Sequence, residues 1–177
     1  MRIISGKHKG RKIKAPLLDE VRPTTDFAKT GLFNILNNKI DYESVVVLDL
    51  FCGFGNISLE MASRGCNNID AVDENIQCVR FLKNFAQALS LPIQTYQSDV
   101  IQYLKKCSRK YDVIFADPPY EHSDLLDNVI TIVQEKNILN KNGLLILEHE
   151  KHKSFSEHKC FIDERHYGKV YFSFLQF

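Results

Sequence analysis

Ser44-Val-Val-Val-Leu-Asp-Leu50, read on through Phe51-Cys-Gly53-Phe-Gly55-Asn56, joins a β-branched apolar run to a loop holding two glycines. Such a run, apolar on both faces, predicts a strand buried within a parallel sheet. The loop leads into Asn56–Arg64, read as a helix that stops at Gly65. Beyond it the alternation repeats. Strands are predicted at Ile69–Val72, Ile93–Tyr96, Tyr111–Ala116 and Gly143–Leu147. Helices are predicted at Glu74–Leu89, Val100–Lys106 and His122–Asn137, and one more should precede the first strand. The stretches Lys159–Asp163 and Lys169–Phe177 follow with no helix between them and read as an antiparallel pair closing the sheet edge. This order predicts an α/β fold of the doubly wound, Rossmann-like kind: a mostly parallel sheet with an antiparallel C-terminal edge. All 177 residues are read as one domain, with a basic N-terminal extension over 1–43.

Composition bounds the function. The 44% apolar and 25% charged residues are ordinary for a globular chain, and no apolar run approaches a membrane span. Five widely spaced cysteines without a CxxC pair argue against a disulfide framework or a zinc site, which fits a cytoplasmic protein. Net charge is only +1, but residues 1–14 hold six basic groups and no acid, leaving −5 on the remainder. A basic arm on an acidic body points to a polyanion, with Lys7, Lys9, Arg11 and Lys12 as candidate phosphate contacts.

In open parallel sheets, ligands bind beyond the carboxyl ends of the strands. Those ends carry Asp49, Asp73, Asp99, Asp117 and Glu148. Gly53 and Gly55 let the backbone turn tightly beside a ligand. Asp73, 20 residues past Gly53, stands where an acid grips ribose hydroxyls. This spacing suits a nicotinamide dinucleotide and S-adenosylmethionine alike, and electrostatics separates them. A pyrophosphate would sit against Asp49, whereas an ammonium and a sulfonium would be attracted to it. Ser58 also replaces the third small residue of the dinucleotide fingerprint. S-adenosylmethionine is therefore the expected cofactor, held by Asp49, Phe51, Gly53, Gly55 and Asp73. Asp99 is placed to accept from the adenine amino group.

The fourth strand runs into Asp117-Pro118-Pro119-Tyr120. An exocyclic amino nitrogen is a poor nucleophile because its lone pair is delocalised into the ring. Acceptors for its two N–H bonds, here the Asp117 carboxylate and the Pro118 carbonyl, would aim that lone pair at a methyl group. The prolines offer carbonyls without competing donors, and Tyr120 can stack on a base. Asp117, Pro118, Pro119 and Tyr120 are the expected catalytic residues.

With DLFCGFG followed by DPPY, the chain resembles class I aminomethyltransferases. The opening RIISGKHKGRKIKAP, then VRPTTDFAKTGLFNIL and the late Tyr167-Gly168, is similar to one branch of them, the bacterial small-subunit (16S) rRNA guanine-N2 methyltransferases. The resemblance spans nearly the whole chain. It implies S-adenosylmethionine, a monomer, and one guanine of small-subunit ribosomal RNA within an assembling particle. Arg22, Thr24 and Thr25 match the segment that closes over the methionine carboxylate in related enzymes, and Arg22 is also a candidate RNA contact. The chain departs from the pattern at Phe27, Lys29, Thr30 and Gly31, where Arg and Glu are usual, and at Cys52 and Phe54.

Two alternatives stay open: an adenine-N6 methyltransferase on RNA or DNA, since DPPY serves adenine amino groups too, and a non-catalytic RNA-binding protein that keeps the fold. His149 and His152, three apart with no third ligand, read as solvated rather than as a metal site. Cys52 has no adjacent histidine and no covalent step to serve. Tyr167, Tyr171, Phe172, Phe174 and Phe177 read as sheet core.

Overall fold

A computed structural model describes residues 1–16, 25–119 and 124–177. Its elements in chain order are α1 (Asp26–Leu36), β1 (Val46–Leu50), α2 (Asn56–Ser63), β2 (Asn68–Asp73), α3 (Ile76–Ala88), β3 (Ile93–Gln97), α4 (Val100–Lys106), β4 (Tyr111–Ala116), α5 (Asp124–Glu135), β5 (Leu139–His149), β6 (Phe161–Tyr167) and β7 (Val170–Gln176). The strands form one sheet in the order β3-β2-β1-β4-β5-β7-β6. The first five are parallel, and β7 pairs antiparallel with both β5 and β6. Strand order reverses between β1 and β4, so the switch point lies above those two strands.

The two sheet faces bury separate apolar layers. Leu48, Leu50, Ile114 and Leu145 pack with Leu126, Val129 and Val133 of α5 and Leu104 of α4. On the other face Val47, Val113, Phe115 and Ile146 pack with Leu32, Phe33 and Leu36 of α1, Ile57 and Met61 of α2, and Phe172 and Phe174 of β7. Alternate residues of β1 thus feed opposite layers, as the period of a strand requires.

β5 is longer than the predicted Gly143–Leu147. Its register with β4 slips between Tyr111 and Val113, and the extra residues include Asn142 at φ 65°. Asn140 Nδ2 donates to Asp112 Oδ1 at 2.7 Å, which fixes this irregular start. β6 runs four residues past the predicted Lys159–Asp163 because it is an edge strand with charged residues at Asp163, Glu164 and Arg165, where apolar alternation fades. It turns into β7 at Gly168, whose φ of +66° favours glycine.

The basic arm is folded. Residues 1–13 form a short antiparallel hairpin with a bridge between Arg2 and Lys12 and bonds from Ile3 N to Arg11 O and Ile13 N to Met1 O. Buried Ile3 and Ile13 pack with Cys52, Leu59, Ala71 and Leu82. Gly6 touches α2 so closely that a Cβ there would lie 1.8 Å from Ser63 O.

Candidate functional site

The strand ends bring four acids onto one sheet face. Asp49 lies in register with Ala71 of β2 and Phe115 of β4, and Phe115 with Ile146 of β5. Asp73, Asp117 and Glu148 each stand two residues further on, so strand periodicity puts them on the face of Asp49. Because the sheet order is β3-β2-β1-β4-β5, the row in space reads Asp99, Asp73, Asp49, Asp117, Glu148, one acid per strand, with roughly 4.8 Å between neighbouring strands.

Each acid is held differently. Asp49 is 1% exposed; its Oδ2 accepts from the backbone N–H of Ser58, at 3.0 Å, and from the Ser58 hydroxyl. Burial pushes its carboxyl up to about 7, the Ser58 hydrogen bonds pull the other way, and Asp73 adds a smaller upward push. Ser58, notable in the sequence only as a misfit to the dinucleotide fingerprint, is thus the residue that fixes Asp49. Asp73 Oδ2 accepts from Gly53 N at 2.7 Å and its Oδ1 from Asn75 N at 2.8 Å, which ties the glycine loop to β2. Burial raises the Asp73 carboxyl, opposed by those two donors. The loop itself turns through positive φ at Phe51 (59°), Gly53 (50°) and Gly55 (82°). A Cβ on Gly55 would come within 2.3 Å of Leu82.

Asp99 is exposed, and its Oδ1 caps α4 by accepting from Gln102 N at 2.8 Å. One oxygen therefore serves the helix while the residue ends the row at β3. Asp117 is half-buried immediately past β4, followed by a buried Pro118 and an exposed Pro119. Its carboxyl is raised well above the usual carboxylate range, first by burial and then by the nearby charges of Glu148 and Asp49. Glu148 is 3% exposed. A cavity of about 180 Å³ opens between Pro118, Pro119, Leu126 and Glu148. A larger groove of about 900 Å³ lies between α5 and residues 154–158, lined by the outer side of that helix.

A strand-end row in which Asp73 adds to the rise of Asp49, and Glu148 and Asp49 add to that of Asp117, suits a cation. The glycine loop beside Asp49 presents no basic side chain that would neutralise a pyrophosphate. The donor set therefore fits a sulfonium- and ammonium-bearing cofactor better than a dinucleotide. Cys52 is buried, and its thiol is raised well above the ordinary value by burial, which leaves it no thiolate to use.

Arg22, Thr24 and Tyr120 lie outside the described residues. Thr25 is the N-cap of α1, its Oγ1 accepting from Ala28 N at 3.2 Å. Lys7, Lys9, Arg11 and Lys12 are all exposed on the hairpin. That hairpin is tied to α2, the helix that leaves the glycine loop. Glu60 accepts from Ile4 N at 2.7 Å and Ser5 N at 3.0 Å, and Ser63 Oγ accepts from His8 N at 3.0 Å. Lys29, one of the departures, is fully buried and donates to Arg2 O and Asn56 Oδ1, both at 2.7 Å, beside Glu60 Oε2 at 3.5 Å. Burial lowers its pKa, and Glu60 opposes that shift. Phe27 and Gly31 meet Tyr167: the Phe27 and Tyr167 rings stand edge to face at 5.7 Å, and a Cβ on Gly31 would lie about 2.1 Å from the Tyr167 ring.

His149 corrects the reading of a solvated residue. It is 2% exposed, with Nε2 at 2.8 Å from Ser173 Oγ and Nδ1 at 2.9 Å from Glu150 O, because β5 extends past the predicted strand and draws it under β7. Among the described residues, no group of three or more His, Cys, Asp or Glu is arranged to hold a metal ion. No helix among them is long and apolar enough to cross a membrane.

Known proteins share this sequence pattern and fold. The family described as conserved hypothetical protein 95 matches residues 1–176. The ribosomal RNA small subunit methyltransferase D of Buchnera aphidicola subsp. Baizongia pistaciae is 33% identical over 151 residues, covering 85% of this chain and 76% of that one. A hypothetical protein of Thermus thermophilus superposes with a TM-score of 0.86 at 24% identity, over 100% of this chain and 99% of that one. A 16S rRNA N2 methyltransferase (RsmC) of Thermus thermophilus, solved in complex with AdoMet and guanosine, shares the fold at TM-score 0.68 and 22% identity, over 86% of this chain and 43% of that one. The chain therefore belongs to the family described as conserved hypothetical protein 95 and, by its 33% identity to methyltransferase D, to the small-subunit rRNA methyltransferase family of that relative.

Proposed function

We propose that this protein transfers a methyl group from S-adenosylmethionine to the exocyclic N2 amino group of a guanine in small-subunit ribosomal RNA. The observation that carries the reading is the row of acids in strand order, with Asp49 and Asp73 beside the glycine loop and Asp117 next to them at the DPPY corner. S-adenosylmethionine, when bound, supplies a methyl group on a sulfonium for direct transfer to an amino nitrogen, leaving a thioether and a proton.

The chain's own residues do the rest. Asp73 would accept from ribose hydroxyls while its bonds to Gly53 and Asn75 hold it in place. Asp49, with Phe51, Gly53 and Gly55, would hold the cationic end of the cofactor, and Asp99 would accept from its adenine amino group. Thr24 and Thr25 belong to the segment assigned to the methionine carboxylate. Asp117 and the Pro118 carbonyl would accept the two N–H bonds of the target amine and so orient its lone pair for methyl transfer; Pro119 adds no competing donor, and Tyr120 is the residue the sequence offers for stacking on the base. Positioning and acceptors preorganised toward the developing cation supply the rate. Asp117 need not be a strong base, because a methylated cationic amine sheds its proton readily.

Lys7, Lys9, Arg11 and Lys12 contact RNA phosphates from a hairpin already fixed to α2, so that hairpin needs little ordering on binding, and Arg22 is a further candidate RNA contact. The protein is read as a cytosolic monomer acting on an assembling small-subunit particle. Mass mapping of small-subunit rRNA from a strain lacking the gene tests the reading. Loss of one N2-methylguanine is expected; an unchanged modification map refutes it.

A further inference from the structure

The DPPY corner binds an amino group, and adenine offers one as readily as guanine. Something else must read the base. The neighbour of Asp117 on the side away from the cofactor loop is β5, and the residue at the matching level is Glu148. Ala116 pairs with Leu147, so Asp117 and Glu148 leave adjacent parallel strands side by side. Glu148 is 3% exposed, lines the same cavity as Pro118 and Pro119, and is close enough to Asp117 for its charge to raise that carboxyl.

We propose that Glu148 is the base-reading residue of the site: its carboxylate accepts the N1–H of a guanine whose N2 amine is held by Asp117. Guanine presents N1–H and N2–H on one edge, at adjacent ring positions, and two carboxylates on adjacent strands match that pair of donors. Adenine presents an amino group beside N1, a lone pair. A Glu148 carboxyl oxygen facing that lone pair repels it, and leaves two acceptors confronting each other in a buried pocket. The carboxylate thereby selects guanine at a corner that is itself indifferent. Glu148 keeps the contacts it makes within the protein, since a carboxylate has about four lone-pair sites. The inference rests on the function proposed above.

The test uses small-subunit particles reconstituted around rRNA that carries either guanine or 2-aminopurine at the methylated position. 2-Aminopurine keeps the reactive amine but has a lone pair at N1. Wild-type protein and Glu148→Gln are compared in kcat/KM for methyl transfer. They are also compared in affinity for each RNA with S-adenosylhomocysteine present. The wild type is expected to prefer guanine over 2-aminopurine by about tenfold or more, the discrimination of one good two-point contact. Glu148→Gln, whose amide can donate to N1, is expected to shrink or invert that ratio in both measurements. A loss of guanine activity with the ratio unchanged would mean a merely structural role and overturn the inference. A wild type that treats the two bases alike overturns it without any variant, so a misfolded Glu148→Gln does not rescue it. Methylation of guanine with an unchanged ratio leaves the proposed function standing and removes this reading alone; methylation of no guanine removes both.

Discussion

Asp49→Asn offers the sharpest view of how the site is charged. The Asp49 carboxyl is raised from 3.8 to about 7, chiefly by burial. A raised folded-state value means the native protein holds a proton that the unfolded chain has already lost. Stability from this group is therefore present below the unfolded value and is lost as pH rises through the folded one. Summed over the whole window, about three pH units at about 1.4 kcal/mol each give about 4 kcal/mol. Between about pH 5 and about pH 8 the loss is about 2–3 kcal/mol, because part of the window lies below the start. Asp73 and Asp117 shift in the same direction, so the wild type should fall somewhat more steeply than Asp49 alone dictates. Asp49→Asn keeps the shape and an oxygen to accept from Ser58 but has no proton to lose. Urea unfolding of both proteins at several pH values in that range reads the difference directly. The gap between wild type and Asp49→Asn should move by about 2–3 kcal/mol in favour of the variant on going from about pH 5 to about pH 8. Two curves that run parallel would show that Asp49 titrates alike in folded and unfolded chains, and would refute the electrostatic account of the site.

Three further outcomes follow from the same geometry. Lys29→Met leaves Glu60 buried with Arg64 as its remaining cation and removes the bond from Lys29 to the Arg2 carbonyl; a loss of about 3 kcal/mol is expected in urea unfolding, and an unchanged midpoint would contradict the buried network. Asp73→Ala should weaken S-adenosylhomocysteine binding by about 1–3 kcal/mol in calorimetry, and an unchanged dissociation constant would place the ribose elsewhere. Replacing Lys7, Lys9, Arg11 and Lys12 with alanine should flatten the slope of log RNA affinity against log salt by up to about 3, at unchanged cofactor affinity; parallel lines would exclude arm–phosphate contact.

The sequence carried the alternation of elements, the antiparallel edge and the acids at the strand ends, because buried strands and special turns leave strong local signals. What it did not carry is arrangement between distant segments. Asp49, Asp73, Asp117 and Glu148 share a face only through the register of four strands, and their spatial order comes from a sheet order that local patterns do not encode. Lys29 and Glu60 look like surface charges in a linear reading; they are buried because a hairpin 27 residues before Lys29, and 55 to 56 before Glu60, closes over them with its own backbone donors and a carbonyl. Ser58 was visible as an oddity, and its reason is a hydrogen bond to Asp49. The depth of His149 follows from the two residues by which β5 runs past Leu147, which a glycine-bounded apolar run does not announce.

The central claim is that Asp117 directs methyl transfer to a guanine amine while the cofactor is held by the strands beside it. Purified wild type and Asp117→Ala, each incubated with S-adenosylmethionine and undermethylated small-subunit particles, are to be compared by nucleoside mass spectrometry of the rRNA, with S-adenosylhomocysteine affinity measured for both. The account predicts one N2-methylguanine made by the wild type, none made by Asp117→Ala, and nearly equal affinities. Undiminished methylation by Asp117→Ala, or a methyl group found on adenine instead, would contradict it.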